Sequence, residues 1–108
     1  RAAIDEMKAT LHRNFERMSG YAEKGEMPPL DQRMLFKFQC TSVPRRCAEL
    51  ALPLFKAAGG SGVFDSQPFG RFYTDILTMG NHAANQFQTG GRNWGAVMMG
   101  LENQDRLL

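Results

Sequence analysis

If residues 69–89 form a helix, Arg71, Asp75, Thr78 and His82 bring a cation, a carboxylate, a hydroxyl and an imidazole together. Their spacing is i, i+4, i+7, i+11, and at about 100° per residue these positions share one stripe. Imidazole is the side chain best suited to exchange a proton near neutral pH. His82 is therefore the candidate catalytic residue, with Arg71 and Asp75 in orienting or structural roles. The plainer alternative is a solvated Arg71–Asp75 pair, of a kind worth a few tenths of a kcal/mol, beside a surface or core histidine. Upstream lies Gly59-Gly60-Ser61-Gly62. Consecutive glycines can turn their amides outward, and such a nest near a helix start attracts phosphate. By spacing alone, the plainer reading of these four residues is a flexible helix cap. His12, among Arg and Asn neighbours, is expected to be exposed.

The elements that must position these groups are helical. β-branched residues are few and no alternating segment occurs, whereas Met and Phe number seven and eight. The spacing of Ile4, Met7, Leu11, Phe15 and Met18 predicts a first helix over 1–18 with one buried stripe, closed by Ser19-Gly20. Pro28-Pro29 opens a second helix over about 30–58, with an apolar face of Leu35, Phe38, Val43, Cys47, Leu50 and Leu54. Pro44 and Pro53 fall inside it, each costing roughly 3 kcal/mol in a regular helix interior. The apolar pattern keeps phase across Pro44, which predicts a kinked but continuous helix.

Asp65-Ser66-Gln67-Pro68 is a start signal for a third helix, expected over about 67–88. Its packed side would be Phe69, Phe72, Ile76, Met79, Ala83 and Phe87. Gly90-Gly91 would then break the chain before a short fourth helix with Trp94, Val97, Met98 and Leu101. Trp94 is expected to anchor that helix, and a polar tail follows from Glu102. Four helices with short connections predict an all-α, up-down four-helix bundle.

Composition sets further bounds. The 108 residues suit one domain, and the chain opens at Arg1 with helical periodicity already running, which reads as a piece of a larger protein. Thirteen basic and eleven acidic residues give a net charge of +2. These charges are interspersed, without the basic run of a nucleic-acid arm. No apolar stretch approaches the roughly 18 residues of a membrane span. Cys40 and Cys47 are separated by about 10 Å of helix rise, too far for a disulfide. Free thiols favour the cytoplasm, and their spacing predicts no metal site.

The glycine run, the segment Pro68-Phe69-Gly70-Arg71-Phe72-Tyr73-Thr74-Asp75 and then His82 resemble the C-terminal helical domain of the acyl-CoA dehydrogenase superfamily. Within it the chain looks most like the flavin-dependent aromatic hydroxylases, the oxygenase components of two-component monooxygenases. Acyl-CoA dehydrogenases typically carry a Tyr-Glu-Gly segment after the helix Asp, whose Glu removes the substrate α-proton. Here the corresponding residues are Asn81-His82-Ala83. A histidine near this point is what the hydroxylase branch shows. Thr74 stands where the family often has a second arginine.

The resemblance implies that residues 1–108 are a C-terminal domain, with an N-terminal helical domain and a central β-domain outside this sequence. It implies a separate reductase supplying reduced FMN or FAD, an aromatic, phenolic substrate, and a homo-oligomer, tetrameric when intact. Gly59, Gly60, Ser61 and Gly62 would lie along the flavin phosphate or ribityl chain. His82 would accept or share the phenolic proton. The 108 residues alone would be inactive. The alternatives are an acyl-CoA dehydrogenase or oxidase with a relocated base, and a purely structural oligomerisation bundle.

Overall fold

The computed structural model describes residues 1–64, 68–106 and 108. It contains α1 (Ala2–Glu23), α2 (Leu30–Ala57), α3 (Pro68–Asn81) and α4 (Phe87–Met98). Short 3-10 turns occupy Gly59–Val63 and Ala83–Asn85. There is no strand among the described residues, so the all-α expectation holds. The chain divides into two compact units, Arg1–Cys40 with Phe87–Leu108, and Thr41–Gln86. The proposed start signal at Asp65, Ser66 and Gln67 lies outside the described residues, as does Leu107 of the tail.

In the first unit, α1 and the beginning of α2 form an antiparallel hairpin. Tyr21 Oη donates to Gln32 Oε1 at 3.2 Å, and Asn14 Nδ2 donates to Gln39 Oε1 at 2.9 Å. The two contacts lie about two turns apart on each helix, as antiparallel neighbours require. The buried stripe of α1 is rotated from the expected one. Met7 (3 % exposed) and Asn14 (0 %) face inward with Met34 and Phe36, whereas Ile4, Phe15 and Met18 are exposed. A buried amide must be hydrogen-bonded. Asn14 meets this through Gln39 and by accepting from Arg13 Nη2 at 3.2 Å, while Arg13 Nη2 also reaches Gln39 Oε1 at 2.9 Å.

Helix α1 runs through Ser19-Gly20, which was expected to end it. Glycine in a helix interior costs only about 1 kcal/mol. The terminator is Gly25, at φ 68°. Its amide donates to Ala22 O, and that of Glu26 to Tyr21 O, which is a Schellman closure. The end of α4 repeats the device: Gly100 takes φ 85°, its amide donates to Val97 O, and that of Leu101 to Ala96 O.

Helix α2 is continuous across Pro44 and Pro53, as expected, and spans about 42 Å at 1.5 Å per residue. The Cys40 carbonyl, four residues before Pro44, lacks its usual amide partner, and the division between the units falls beside it, between Cys40 and Thr41. Cys40 and Cys47 are both free.

The second half of the chain departs most from expectation. The span 67–88 is not one helix. Helix α3 stops at Asn81, and Gly90-Gly91 lies inside α4 instead of breaking the chain. The cause is a competing polar cluster. The Met79 carbonyl accepts from the His82 amide at 3.3 Å and from Asn85 Nδ2 at 2.8 Å. With His82 at φ −62°, ψ 137°, the backbone leaves the helix. Asn and His side chains that bond local backbone draw the chain out of helical geometry.

Within the first unit, α4 is anchored by aromatic packing. Phe38 of α2 lies 4.7 Å from Phe87 and 5.1 Å from Trp94, measured between ring centroids, within the range of favourable aromatic pairs. Trp94 is thus an anchor, as expected. The polar tail is tied down: Lys37 Nζ meets Asp105 Oδ2 at 2.6 Å, and Asn93 Nδ2 donates to Asn103 Oδ1 at 2.7 Å.

Candidate functional site

All the sequence-predicted site residues fall in the second unit. Their scaffold is the end of α2, the glycine turn and α3. Phe55 of α2 stacks on Tyr73 of α3 with centroids 4.8 Å apart and planes 13° from parallel. Gly62 packs under the same region. A Cβ built on it would stand 3.0 Å from Ala58 Cβ, so this glycine permits a close approach of turn and helix.

The four residues of the glycine run therefore differ in kind. Gly59 alone among them takes a positive φ, 64°, and turns the chain out of α2. Gly60 is exposed, with open space where a Cβ would be. Ser61 is exposed, and its Oγ donates to Ala58 O at 2.9 Å. Gly62 is buried. Gly59, Gly60 and Ser61 present backbone to solvent, and the amides entering a 3-10 turn precede its i→i+3 ladder.

Arg71 and Asp75 sit one turn apart on α3, with Nε 3.9 Å from Oδ2 and side chains 85 % and 65 % exposed. At that separation in water the pair contributes little. Thr78 shares the face, but its Oγ1 donates to Thr74 O at 2.9 Å, and Thr74 Oγ1 to Gly70 O at 2.9 Å. Both hydroxyl protons are thus used by the helix.

His82 lies beyond the end of α3, so the four-residue stripe stops at Thr78. The imidazole is exposed, and its Nδ1 accepts from the Ala84 amide at 3.2 Å. It caps the following 3-10 turn as an N-cap oxygen caps a helix. In the neutral ring, Nδ1 as acceptor leaves the proton on Nε2. Asp75 pairs with Arg71, and among the described residues no contact joins it to His82. Asn85, which closes α3 through Met79 O, was missed by the sequence reading. Its signal was the cluster Asn81, His82, Asn85 at the end of an apolar stripe.

The apolar face of α3 is open. Phe69, Phe72 and Met79 are 47 %, 59 % and 56 % exposed, and no residue described in α3 is buried. The expectation that this stripe is packed thus fails for the chain on its own. Among the described residues no helix is long and apolar enough to cross a membrane. Among them, too, no three His, Cys, Asp or Glu side chains cluster as a metal site would require.

Among the described residues the chain is all-helical, with a glycine turn leading to a helix that ends on a polar cluster. The acyl-CoA dehydrogenase C-terminal domain family matches residues 1–87, and the chain belongs to that family. The matched region runs through α3 and the His82 turn to the first residue of α4. Neither the comparison with curated proteins nor that with solved structures returned a match.

Proposed function

We propose that this chain is the C-terminal domain of a reduced-flavin-dependent monooxygenase that hydroxylates a phenolic ring. The observation that carries the reading is the segment Asn81-His82-Ala83, which offers an exposed, oriented imidazole and no carboxylate. An acyl-CoA dehydrogenase or oxidase fits the family equally well, but it would need its base supplied elsewhere. The exposed apolar residues of α1 and α3 favour a further role in subunit contact, within a homo-oligomer that is tetrameric when intact.

The residues present fit a flavin. Gly59, Gly60 and Ser61 would meet the phosphate or ribityl chain of FMN or FAD with exposed backbone, while Gly62 holds the turn on Ala58. Bound reduced flavin, replenished by a separate reductase, supplies the oxygen-transfer chemistry. His82 acts on the phenol. With Nδ1 held by Ala84, the neutral ring offers Nε2–H to the phenolic oxygen. Such a donor favours loss of the phenolic proton to solvent water, since hydrogen bonds to an ionised acceptor are the stronger kind, and the phenolate ring is the better nucleophile. To accept the proton outright, the imidazole would have to release Ala84 and move its own proton to Nδ1. Arg71 and Asp75 stay in orienting roles.

The test is His82→Ala in the intact enzyme supplied with reductase. Hydroxylation should fall about 100-fold, the scale for losing one hydrogen-bond donor to a reacting oxyanion, while flavin binding persists. Undiminished turnover, or turnover of an acyl-CoA thioester in place of a phenol, would overturn the proposal.

A further inference from the structure

The closed end of the α1–α2 hairpin, in the first unit, carries a cleft of about 410 Å³ lined by Arg17, Gly20, Tyr21, Lys24 and Gln32. Arg17, Gly20 and Tyr21 of α1 and its C-cap residue Lys24 recur at i, i+3, i+4 and i+7, and Lys24 keeps right-handed helical backbone angles, so the four share one face. Two of them are cations, and none of the five is a carboxylate. Among the described residues neither Arg17 nor Lys24 has a side-chain hydrogen bond or ion pair. Gly20 has nothing within 4 Å of where a Cβ would stand, so the missing side chain leaves the floor open. The Tyr21 hydroxyl donates to Gln32 Oε1 at 3.2 Å. This fixes both groups, leaves the two Gln32 Nε2 hydrogens for a ligand, and keeps the phenolic lone pairs as acceptors.

The geometry points to a binding site for a small phosphate-bearing anion, unrelated to the His82 chemistry. Charge and donor count select that class. A phosphomonoester carries about −1.5 to −2 charges at pH 7, matching the two cations. Its oxygens accept from a guanidinium, an ammonium and an amide, and a residual P–OH can donate to Tyr21 Oη. A simple carboxylate has one charge and no proton to donate. The helix ends do not oppose the anion. The C-terminal end of α1, with about half a negative charge, lies beside the N-terminal turn of α2, with about half a positive charge. The two cancel locally and leave Arg17 and Lys24 to set the potential. Seven residues apart, these side chains start about 10 Å from one another, a gap their length lets them close around one anion.

The experiment is a titration of the isotopically labelled chain with inorganic phosphate and, separately, with a sugar phosphate, following backbone amide shifts at constant ionic strength. The expected result is a saturable shift concentrated at Gly20, Tyr21 and Gln32. Affinity should fall at least tenfold in Arg17→Gln/Lys24→Gln, and saturation should vanish in Gly20→Gln, whose side chain fills the cleft. Trp94 fluorescence verifies that each variant is folded. Tighter binding of the sugar phosphate than of phosphate would assign the remaining volume to the organic part. Equal affinity would restrict the site to the phosphate group. Shifts reproduced by sodium chloride, spread over other surfaces, or unchanged in the double variant would overturn the proposal.

Discussion

Gly90 and Gly91 are adjacent in the interior of α4, and alanine should act on them in opposite directions. Replacing glycine by alanine inside a helix is worth about 1 kcal/mol in favour of folding. At Gly90 nothing lies within 4 Å of the added Cβ, so Gly90→Ala should stabilise by about that amount. At Gly91 the Cβ would stand 2.7 Å from Phe38 Cε2, where ordinary contact begins at 3.4 Å. The Phe38 ring would have to withdraw by about 0.7 Å, yet it is wedged between Phe87 and Trp94. Overpacking a filled site costs typically 1–3 kcal/mol. Gly91→Ala should therefore be neutral to about 2 kcal/mol destabilising, and the two variants should differ by about 1–3 kcal/mol. For a domain of about this size each kcal/mol moves the midpoint by roughly 4–8 °C. Trp94 is the single tryptophan and touches Phe38 directly, so its fluorescence during urea or thermal unfolding reads the locus concerned. Equal stabilisation by both alanines would refute the packing argument and show that the aromatic cluster yields freely.

Four further outcomes follow from the same geometry. Asn14→Ala should cost about 1–3 kcal/mol, because it removes a fully buried amide from the Arg13–Gln39 network; urea unfolding measures it, and a loss below half a kcal/mol would contradict that network. His82→Gln in the intact enzyme should recover at least tenfold of the activity lost in His82→Ala, since an amide N–H can replace the Nε2–H donor. Long-range nitrogen–proton spectra should show the neutral His82 ring protonated on Nε2, and a proton on Nδ1 would rule out the Ala84 bond. Asp105→Ala should free the tail from Lys37, a half-buried pair at 2.6 Å, and raise amide exchange over Asn103–Arg106 while leaving exchange in α1 unchanged.

The local code settled much of this protein. The helical class, the start of α2 after Pro28-Pro29, its continuity through two prolines and the anchoring role of Trp94 all follow from composition and 3.6-residue periodicity. The apolar pattern of α2 keeps phase across Pro44 and the helix runs on, although Leu50 and Leu54 of the expected face are exposed and Met34 and Phe36 are buried instead. The family match spans residues 1–87 and so includes the stretch from Gly59 to His82. Where helices stop depended on bonds that periodicity does not register. Gly25, not Gly20, closes α1 because Tyr21 is drawn in by Gln32 and the helix gains another turn. Helix α3 ends at Asn81 because Asn85 and the His82 amide converge on the Met79 carbonyl, which takes His82 off the face it would share with Asp75. Burial was likewise a tertiary decision. Asn14 displaced Phe15 and Ile4 from the interior once Gln39 stood opposite it, and Gly91 is glycine because Phe38 occupies its side-chain space. A sequence specifies the propensity of each segment; which face turns inward, and which amide ends the turn, is set by the partner that packing brings alongside.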